Sequence, residues 1–569
     1  MKKILDTPGE AVGDFIECLV SHSDGLAKVR GWNVVARADS GTTNSGQVAV
    51  LSGGGSGHEP AHAGYVGPGM LNAAVLGPVF TSPSVDDVLA GIRATAGAAG
   101  ALLVVKNYTG DTLNFGLAAE MAKAEGIPVE TVIVQDDVAI EAASRVGSRG
   151  IAGTVLVHKV AGAAAARGLP LEEVASIARG FAAKVASMGV ATAPCVLPGA
   201  SAPNFELEDD EVEWGLGIHG EAGRERGTMV PARELASVLV RAITARAELG
   251  AGARTAVLVN GLGTTTPMEL EITAGRVLSA LRSEGVEVER LWVGTFLSAL
   301  DMAGCSVSIV DVTDQELELL DAPTDAAAWP RATGRVPDAE RSELPVPENG
   351  GATRSTGSRA GADMSRLLDA VGAAARAVLE AEDRLTELDR NVGDGDMGTN
   401  LARGARVLLE QADTLAKEST EKALLLRVSE VLRKEVGGTS GPLYSLLVLG
   451  ASDRLSSDKP DAATWAEAFA AGVAAVQRIG GARVGDRTMI DALRPAADAL
   501  AREVAAGTDP AAALRHAVDA ADQGARHTAE VQASLGRSSY LGERAVGHPD
   551  PGAVAVGIWL RALSDQVSG

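Results

Sequence analysis

The sequence predicts a multidomain protein, in which a two-part α/β half is followed by an all-α half. The chain has 569 residues, several times the length of a typical single domain. Short β-branched runs alternate with Ala-rich stretches before residue 330, whereas apolar residues follow helical spacing after residue 363. Between these regions, residues 331–362 are rich in Pro, Gly, Ser and charged residues and lack apolar periodicity. This composition predicts a flexible linker between two unlike domains.

The first half contains short β-branched runs that predict strands: Gln47–Leu51, Leu102–Val105, Thr131–Val134, Thr154–Val157, Ala256–Val259, Arg290–Val293 and Val307–Val310. Several are followed by polar or Gly-rich loops, which read SGGGSGHEP, KNYTGD, QDD, HK and NGLG. Open α/β sheets bind ligands at the carboxyl ends of their strands, so these loops are the candidate binding loops. A change in composition around Pro194–Pro203 predicts two subdomains, residues 1–195 and 196–330.

The second half, residues 363–569, is predicted to be helical throughout. Its apolar pattern begins with Leu367, Leu368, Val371, Ala374 and Val378 and recurs in later segments. About eight predicted helices, separated by short loops rich in Gly and Asp, indicate an all-α bundle. Two unlike domains joined by a linker suggest that both contribute to one active site.

Charge and cysteine content exclude several classes of protein. The formal net charge is −23, which argues against a protein that binds nucleic acid or an anionic membrane surface. No apolar run reaches the roughly 20 residues of a membrane span. The N-terminal segment meets Pro and acidic residues before a signal-type apolar region develops. Cys18, Cys195 and Cys305 lie far apart, so we expect free thiols and a cytoplasmic location.

The strongest metal-site candidate in the helical half is the segment LDRNVGDGDMGTN. Asp389, Asp394 and Asp396 fall within one Gly-rich turn, where three carboxylates repel one another unless a cation lies among them. Oxygen ligands without His or Cys favour Mg²⁺ or Ca²⁺ over zinc. An EF-hand is excluded because the twelfth position counted from Asp394 is Ala405 instead of Glu. The alternative is an acidic, solvated helix cap.

Four further loops of the helical half contain Gly or hydroxyl residues: GGTSGP (437–442), GGARVGDRTM (480–489), GRSSYLGE (536–543) and DPGA (550–553). Each places backbone N–H groups at a helix end, where the helix dipole favours phosphate, and Arg487 and Arg537 add positive charge. Any one such loop is ordinary helix capping. Together with the three aspartates, they predict a magnesium–nucleotide site.

Two glycine motifs in the α/β half fail as nucleotide fingerprints. SGGGSGHEP follows a predicted strand, but His58 stands where the Walker motif requires Gly-Lys. GLGIHG, residues 215–220, matches G-x-G-x-x-G, yet EDDEVEW before it is not a clear strand and EAGRERG after it is a poor helix. The side chains that remain prominent in these loops are His58, Lys106, Asp111 and His219. They offer an acid, a base and a nucleophilic nitrogen, although any one of them has a structural alternative.

The chain resembles the dihydroxyacetone kinase family along nearly its whole length. The motifs of the substrate half are GGGSGHEPAHAG, VKNYTGDTLNFGLA, GIAGTVLVHK, LGLGIHGEAG and TFLSALDMAGCSVSI. Those of the nucleotide half are LDRNVGDGDMGTN, GGTSGPLY, GDRTMIDALRPA and GRSSYLGERAVGHPDPGA. The resemblance implies a two-part α/β ketose-binding domain followed by an eight-helix antiparallel barrel, and a homodimer formed through the α/β half. It also implies ATP as phosphoryl donor with Mg²⁺, expected as two ions.

The resemblance assigns roles to particular residues. His219 is the histidine that binds the ketone covalently as a hemiaminal, His58 the acid/base histidine, and Asp111 the carboxylate that helps to deprotonate the attacking hydroxyl. Lys106, Gly55, Ser56 and Gly57 match substrate contacts, and Asp389, Asp394 and Asp396 match the metal ligands. The expected nucleotide contacts are Met397, Gly398, Thr399, Asn400, Thr439, Ser440, Gly480, Thr488, Met489, Arg537, Asp550, Pro551 and Gly552.

The resemblance therefore implies ATP-dependent phosphorylation of dihydroxyacetone, glyceraldehyde or a related short-chain ketose. A four-carbon ketose such as erythrulose is the alternative substrate, because VNGLGTTTPMEL departs from the loop of many relatives. Two further alternatives are a non-catalytic ketose sensor and a cyclising activity on FAD. The fused halves, without a relay-type third domain, favour free ATP over a phosphotransferase donor.

Overall fold

The computed structural model describes residues 3–40, 46–140, 147–330, 336, 362–455, 460–535 and 545–568. The chain divides into two compact units, residues 1–343 and 344–569. The predicted linker, 331–362, lies outside the described residues except at Val336 and Ala362. Arg537 and its loop, 536–543, also lie outside them.

The first sheet of the α/β unit is largely parallel. It contains β1 (Leu26–Lys28), β2 (Val34–Arg37), β3 (Ala49–Ser56), β4 (Ala73–Val79), β5 (Ala101–Lys106) and β6 (Val129–Val134), in the order β1-β2-β4-β3-β5-β6. Strands β4, β3, β5 and β6 run parallel, and β1 and β2 form an antiparallel extension. Helices α1 (Ala11–Ser21), α2 (Val85–Thr95) and α3 (Thr109–Ala124) belong to this part of the chain. Strands β3 and β5 are buried along their whole length, as parallel strands covered on both faces are.

The second sheet is mostly antiparallel, which the strand pattern did not predict. It contains β7 (Ala186–Ala193), β8 (Glu211–Trp214), β9 (Glu225–Thr228), β10 (Arg254–Gly261), β11 (Glu287–Gly294) and β12 (Ala303–Asp311), in the order β11-β10-β12-β7-β8-β9. Only β10 and β11 pair in parallel among its described strands. Helices α6 (Ala232–Arg246), α7 (Pro267–Ser283) and α8 (Asp314–Asp321) accompany it. Because β7 already belongs to this sheet, the change of sheet comes earlier than the boundary predicted after residue 195.

Two helices, α4 (Thr154–Ala166) and α5 (Leu171–Ala182), contribute to a core shared with strands of both sheets. The prediction of a strand at Thr154–Val157 is wrong, because this run is the first turn of α4. His158 and Lys159, predicted to form a loop, lie inside the same helix. Nearly every residue of α4 is buried, so the run shows no amphipathic period that would distinguish a helix from a strand.

The second unit is a closed ring of helices, which confirms the predicted all-α architecture. Its described residues form ten helical segments: α9 (Ala362–Glu380), α10 (Glu382–Val392), α11 (Met397–Glu410), α12 (Ala412–Leu415), α13 (Glu421–Glu435), α14 (Ser440–Ser452), α15 (Ala462–Gly480), α16 (Ile490–Ala505), α17 (Pro510–His527) and α18 (Pro551–Ser568). Segments α10 and α12 each follow the preceding helix after one residue, which leaves eight rods. Successive rods pack side by side, and α18 packs against α9 to close the ring.

The described helices include none that is both long and apolar enough to cross a bilayer. All three cysteines are free, as predicted: Cys18 is exposed, whereas Cys195 and Cys305 are buried.

Candidate functional site

Two histidines from different sheets meet at the carboxyl end of β3. His58 follows this strand, and His219 lies in the loop between β8 and β9. Their ring centroids are 4.9 Å apart and the ring planes meet at 71°. Phe80 stacks on His58 at 5.0 Å, and Tyr108 approaches the His219 ring edge-on at 4.8 Å. The structure thus brings together two imidazoles, which the sequence placed in separate motifs, between aromatic walls.

A carboxylate fixes the orientation of the His219 ring. Nδ1 of His219 is 2.7 Å from Oε1 of Glu221, and Oε2 of Glu221 accepts the backbone N–H of His219 at 3.0 Å. Burial alone would raise the pKa of Glu221, but the hydrogen bond and charge of His219 outweigh it and lower that pKa. The carboxylate favours the tautomer that carries the proton on Nδ1. In this tautomer Nε2 of His219 has a free lone pair, which is the requirement for a nucleophile.

His58 is held by a carbonyl group of the second sheet's loops. Its Nδ1 is 2.8 Å from the carbonyl oxygen of Ser298, and since a carbonyl only accepts, Nδ1 carries the proton. Nε2 is buried and has no hydrogen-bond partner among the described residues. Burial, and then the charges of His219 and Lys106, lower the pKa of His58 well below its ordinary value. A neutral imidazole with a free Nε2 can accept or relay a proton in the pocket.

Lys106 and Asp111 lie close to each other beside Gly54, and the charge of Lys106 acts on His58. Lys106 ends β5 and is 1% exposed, and its Nζ donates to the Gly53 carbonyl at 3.2 Å and contacts Nε2 of His62 at 2.7 Å. Burial lowers the pKa of Lys106, against the charges of Asp111 and Asp136, which raise it. Asp111 is buried in the first turn of α3, and its Oδ1 has no hydrogen-bond partner among the described residues. A buried carboxylate oxygen without a donor is suited to accept a proton or hydrogen bond from a ligand.

The glycine-rich segment of β3 packs too closely for side chains. A Cβ on Gly54, which has a φ of +155°, would lie 2.5 Å from Nζ of Lys106. A Cβ on Gly55 would lie 2.6 Å from the backbone nitrogen of Thr81. This segment belongs to the strand itself, so the loop predicted to begin at residue 52 starts only after Ser56.

The predicted substrate contacts Ser56 and Gly57 both have partners within the protein. The Ser56 hydroxyl donates to the Gly77 carbonyl at 2.7 Å, and the Gly57 N–H lies 3.1 Å from the Glu59 carboxylate. Either group would have to exchange its partner to contact a substrate through these atoms.

The motif GLGIHG lies between two antiparallel strands. The sequence reading of EDDEVEW as no clear strand is wrong, because Glu211–Trp214 forms β8. No helix follows, since Glu225–Thr228 forms β9 and pairs with β8. A dinucleotide fingerprint requires a strand followed by a helix. GLGIHG is therefore not such a fingerprint, because a strand and not a helix follows it.

Several residues of the pocket were missed by the sequence analysis. Glu221 carried a weak signal, because it follows His219 by two residues in the same loop. Tyr108 and Ser298 stand within motifs quoted above, but their contacts with a histidine of the other sheet depend on how the two sheets pack. Phe80 carried no signal, because it reaches His58 from the end of the neighbouring strand β4.

The three predicted metal-ligating aspartates come together at the α10–α11 turn. Asp389, Asp394 and Asp396 each offer an oxygen, and these oxygens all lie within 4.8 Å of one another. Asp389 is buried, and its Oδ2 accepts the backbone N–H groups of Asp396 at 2.9 Å and Met397 at 3.1 Å. A cluster of carboxylate oxygens fits Mg²⁺, which prefers hard oxygen ligands.

The predicted nucleotide loops are alternate connections of the helical ring. They follow the first, third, fifth and seventh rods, at residues 393–396, 436–439, 481–489 and 528–550. In an up-and-down ring, alternate connections lie at the same end. The described loop residues therefore lie at the end of the ring that holds the three aspartates.

Several predicted nucleotide contacts are neighbours at this end. A Cβ on Gly552 would lie 3.5 Å from Cβ of Met489 and 3.6 Å from Cε of Met397. Asn400 lies close to Gly437, whose added Cβ would be 2.5 Å from the Asn400 side chain. Gly398, Thr399, Thr439, Ser440, Thr488 and Pro551 belong to or adjoin the helix ends around these loops, and Gly480 ends α15.

Asp550 lies just before α18 and is nearly buried. Its Oδ1 accepts the N–H of Ala553 at 2.7 Å, and its own N–H donates to Thr528 at 2.7 Å. Burial raises the pKa of Asp550 to about 7, although the backbone hydrogen bond and the charge of Arg487 act in the opposite direction. The Asp550 side chain therefore caps the helix, and its Oδ1 is already engaged.

Comparison with known proteins gives matches along both units. Residues 17–328 match the Dak1 domain and residues 391–565 match the DAK2 domain. The putative 3,4-dihydroxy-2-butanone kinase of Solanum lycopersicum is 44% identical over 581 residues, and triokinase/FMN cyclase of Homo sapiens is 42% identical over 578. Each alignment covers 99% of this chain and 98% of the relative.

Solved structures and a bacterial relative extend this comparison. The crystal structure of the dihydroxyacetone kinase of C. freundii matches with a TM-score of 0.67 and 34% identity, and covers 99% of both chains. A second structure of that enzyme, in complex with AMP-PNP and Mg²⁺, gives the same values. L-erythrulose 1-kinase of Mycolicibacterium smegmatis is 36% identical over 584 residues, with 100% of both chains covered.

Proposed function

This chain belongs to the dihydroxyacetone kinase family, and from that premise we propose its reaction. The chain transfers the γ-phosphoryl group of ATP to a hydroxyl of dihydroxyacetone, glyceraldehyde or a closely related short-chain ketose. Family membership makes the chain a phosphotransferase. The observation that carries the choice of substrate class is the approach of the His58 and His219 rings to 4.9 Å. Two imidazoles close to a buried lysine and a buried aspartate suit a carbonyl compound that bears hydroxyl groups.

His219 would bind the ketone covalently. Its Nε2 lone pair forms the bond to the carbonyl carbon, and the π electron pair of the carbonyl moves to the oxygen. Glu221, 2.7 Å from Nδ1, stabilises the positive charge that develops on the ring and can take up the Nδ1 proton. Nε2 of His58, which has no other partner among the described residues, takes up a proton from water and passes it to the oxygen. This proton balances the one that leaves Nδ1 of His219 for Glu221. The resulting hemiaminal distinguishes ketoses from polyols such as glycerol, which have no carbonyl carbon to attack.

Asp111 would act on the hydroxyl that receives the phosphoryl group. Its buried Oδ1 has no donor among the described residues, so it can accept the hydroxyl proton. Burial lowers the pKa of Lys106, but the charge of Asp111 opposes this and favours a positive group next to the carboxylate. These two side chains supply a base and a hydrogen-bond donor close to each other, since both lie near Gly54.

The helical unit would bind ATP with Mg²⁺ through Asp389, Asp394 and Asp396. Three carboxylate oxygens within 4.8 Å support a divalent cation, and a pair of ions is compatible with six oxygens. When bound, magnesium neutralises the charge of the phosphate oxygens during phosphoryl transfer. The chain's own part is to hold Asp389 in place through two backbone N–H groups and to present N-terminal helix ends to phosphate.

A four-carbon ketose is the second candidate substrate. It is favoured by the similarity to L-erythrulose 1-kinase, which spans the full length of both chains. The same ketone-capturing and proton-accepting groups would serve three- and four-carbon substrates. A non-catalytic sensor is less well supported, because the three aspartates that it would not need are present.

A coupled ADP-release assay with ATP and Mg²⁺ tests the proposal. We would compare kcat/KM for dihydroxyacetone, glyceraldehyde and both enantiomers of erythrulose. A preference for dihydroxyacetone of tenfold or more, about 1.4 kcal/mol, supports the triose substrate, and the reverse preference supports the tetrulose. Ketose binding without ADP release would support the sensor. Turnover of FAD with Mn²⁺ in the absence of sugar would add the cyclising activity.

The covalent step has its own test in His219→Ala. We expect weaker ketose binding with some residual turnover, whereas Asp111→Ala abolishes turnover. Unchanged ketose affinity in His219→Ala, measured by calorimetry, would rule out the hemiaminal. We also propose a homodimer and a cytoplasmic location, and light scattering at several protein concentrations tests the oligomeric state.

A further inference from the structure

We infer that Arg149 and Asp137 form a clamp that positions the His219 loop, residues 215–224 between β8 and β9. The inference rests on the proposed function, because it gives these residues a role in ketone capture. Neither residue is expected to contact the substrate. Arg149 is a positioning residue, which acts through the backbone of the loop that carries the nucleophile.

The guanidinium group of Arg149 lies between Asp137 and the His219 loop. Nε donates to Oδ2 of Asp137 at 2.8 Å, and Nη2 donates to the Gly215 carbonyl at 2.6 Å. Nη1 lies 3.5 Å from the carbonyl oxygens of Glu221 and Ala222. The guanidinium thus contacts the loop at both ends, including Glu221, whose side chain orients the His219 ring.

The clamp is buried and lies where the chain that follows β6 pairs with β7 of the second sheet. The side chain of Arg149 is 8% exposed and that of Asp137 is 1% exposed. Asp137 follows β6, and its Oδ1 accepts the N–H of Ala139 at 2.9 Å. The backbone N–H of Asp137 donates in turn to the Arg149 carbonyl at 3.0 Å. A buried charge pair of this kind is costly unless every donor has an acceptor, and here the loop carbonyls supply the remaining acceptors.

The arrangement is reciprocal across the two sheets. His58 of the first sheet is held by the Ser298 carbonyl from the second, and the His219 loop of the second sheet is held by Arg149, which follows the first. Bond formation between Nε2 and a carbonyl carbon depends on alignment within a fraction of an ångström. The clamp therefore determines how well His219 is aligned with the groups that the first sheet contributes.

The test compares Arg149→Met with the parent chain and with Arg167→Met. Arg167 is an exposed arginine of the same unit that pairs with Glu318 at 3.3 Å, so it controls for the loss of one charge. The probe is dihydroxyacetone labelled with ¹³C at the carbonyl carbon. Covalent capture converts this trigonal carbon into a tetrahedral carbon, which NMR distinguishes. Titration of the tetrahedral signal gives the adduct affinity, and binding of AMP-PNP with Mg²⁺ reports on the other unit.

We expect Arg149→Met to bind ketose as adduct at least tenfold more weakly and to lose tenfold to a hundredfold in kcat/KM, with unchanged AMP-PNP affinity. Arg149→Lys should be intermediate, because one ammonium group cannot reach Asp137 and the loop carbonyls together. If Arg149→Met does not fold, Arg149→Lys and Asp137→Asn decide the same comparison. Adduct affinity within twofold of the parent in a folded Arg149 variant would overturn the clamp alone. Absence of adduct in the parent would overturn covalent capture, and the clamp with it.

Discussion

Replacing His158 with phenylalanine should make the α/β unit less sensitive to acid. His158 lies in α4 and is fully buried, and neither of its ring nitrogens has a hydrogen-bond partner among the described residues. Its ring is 5.1 Å from that of His62 and 6.1 Å from that of Tyr65. Burial, and then the charge of Lys106, lowers the pKa of His158 to about 3.

The sign and size of the effect follow from this pKa. Between pH 3 and 6.5 the folded chain keeps His158 neutral, whereas the unfolded chain binds a proton there, so stability falls as pH falls below 6.5. Each pH unit below 6.5 costs about 1.4 kcal/mol, which gives about 2 kcal/mol at pH 5. Burial also lowers the pKa values of His58 and His62, so these residues destabilise the folded unit in acid in the same direction.

The assay is urea unfolding at pH 7.5 and pH 5, with hydrogen exchange in α4 used to follow the α/β unit by itself. The parent should lose more free energy of unfolding between the two pH values than His158→Phe does, by about 2 kcal/mol. Comparing the pH dependence removes any constant effect of the substitution on packing. His22→Phe, at an exposed position, is the control and should behave as the parent does. An equal loss in the parent and in His158→Phe would refute the reasoning.

Three further predictions concern the two candidate sites and the helical ring. Gly54→Ala should lower kcat/KM for ketose more than a hundredfold, because the new Cβ would lie 2.5 Å from Nζ of Lys106. The control is Gly116→Ala on α3, where the added Cβ would meet open space. Full activity of Gly54→Ala would contradict the argument that this position is too crowded for a side chain. Asp389→Asn should raise the Mg²⁺ concentration for half-maximal ADP release at least tenfold, and an unchanged requirement would exclude Asp389 as a ligand. Arg487→Met should destabilise the helical unit by about 3 kcal/mol in urea unfolding, because buried Arg487 donates to three backbone carbonyls, and a loss below about 1 kcal/mol would contradict this.

Local patterns in the sequence were sufficient for much of the fold. Strands β5 and β6 were predicted within two residues of their bounds, because both contain short runs rich in valine and other apolar residues. Strand β5 is buried throughout, whereas β6 is a partly exposed edge strand. Strand β7, read ASMGVATA, was missed because small residues carry little β-propensity. The strand predicted at Thr154–Val157 is the first turn of helix α4. The prediction was wrong because nearly complete burial of α4 removes the amphipathic pattern that would have indicated a helix.

The residues of the candidate sites also differ in how far the sequence alone could predict their proximity. Asp389, Asp394 and Asp396 lie within one turn, so the sequence alone places their oxygens close together. The rings of His58 and His219 are 4.9 Å apart but lie in loops of different sheets. Their Gly-rich loops marked both as candidates, and the family resemblance assigned their separate roles. The contacts of Arg149 with the His219 loop depend on how the two sheets pack, which no local pattern reports.

The closure of the helical ring by α18 against α9 means that the unit has no essential beginning or end. Eight rods return the chain to the end of the ring at which it started, opposite the three aspartates. The same ring of rods could therefore form from a chain whose ends lie at a different connection. A circular permutant that joins Ser568 to Ala362 by a short linker and opens the chain at 506–509, between α16 and α17, leaves every loop of the aspartate end intact. Such a permutant of the helical unit should still bind magnesium and nucleotide.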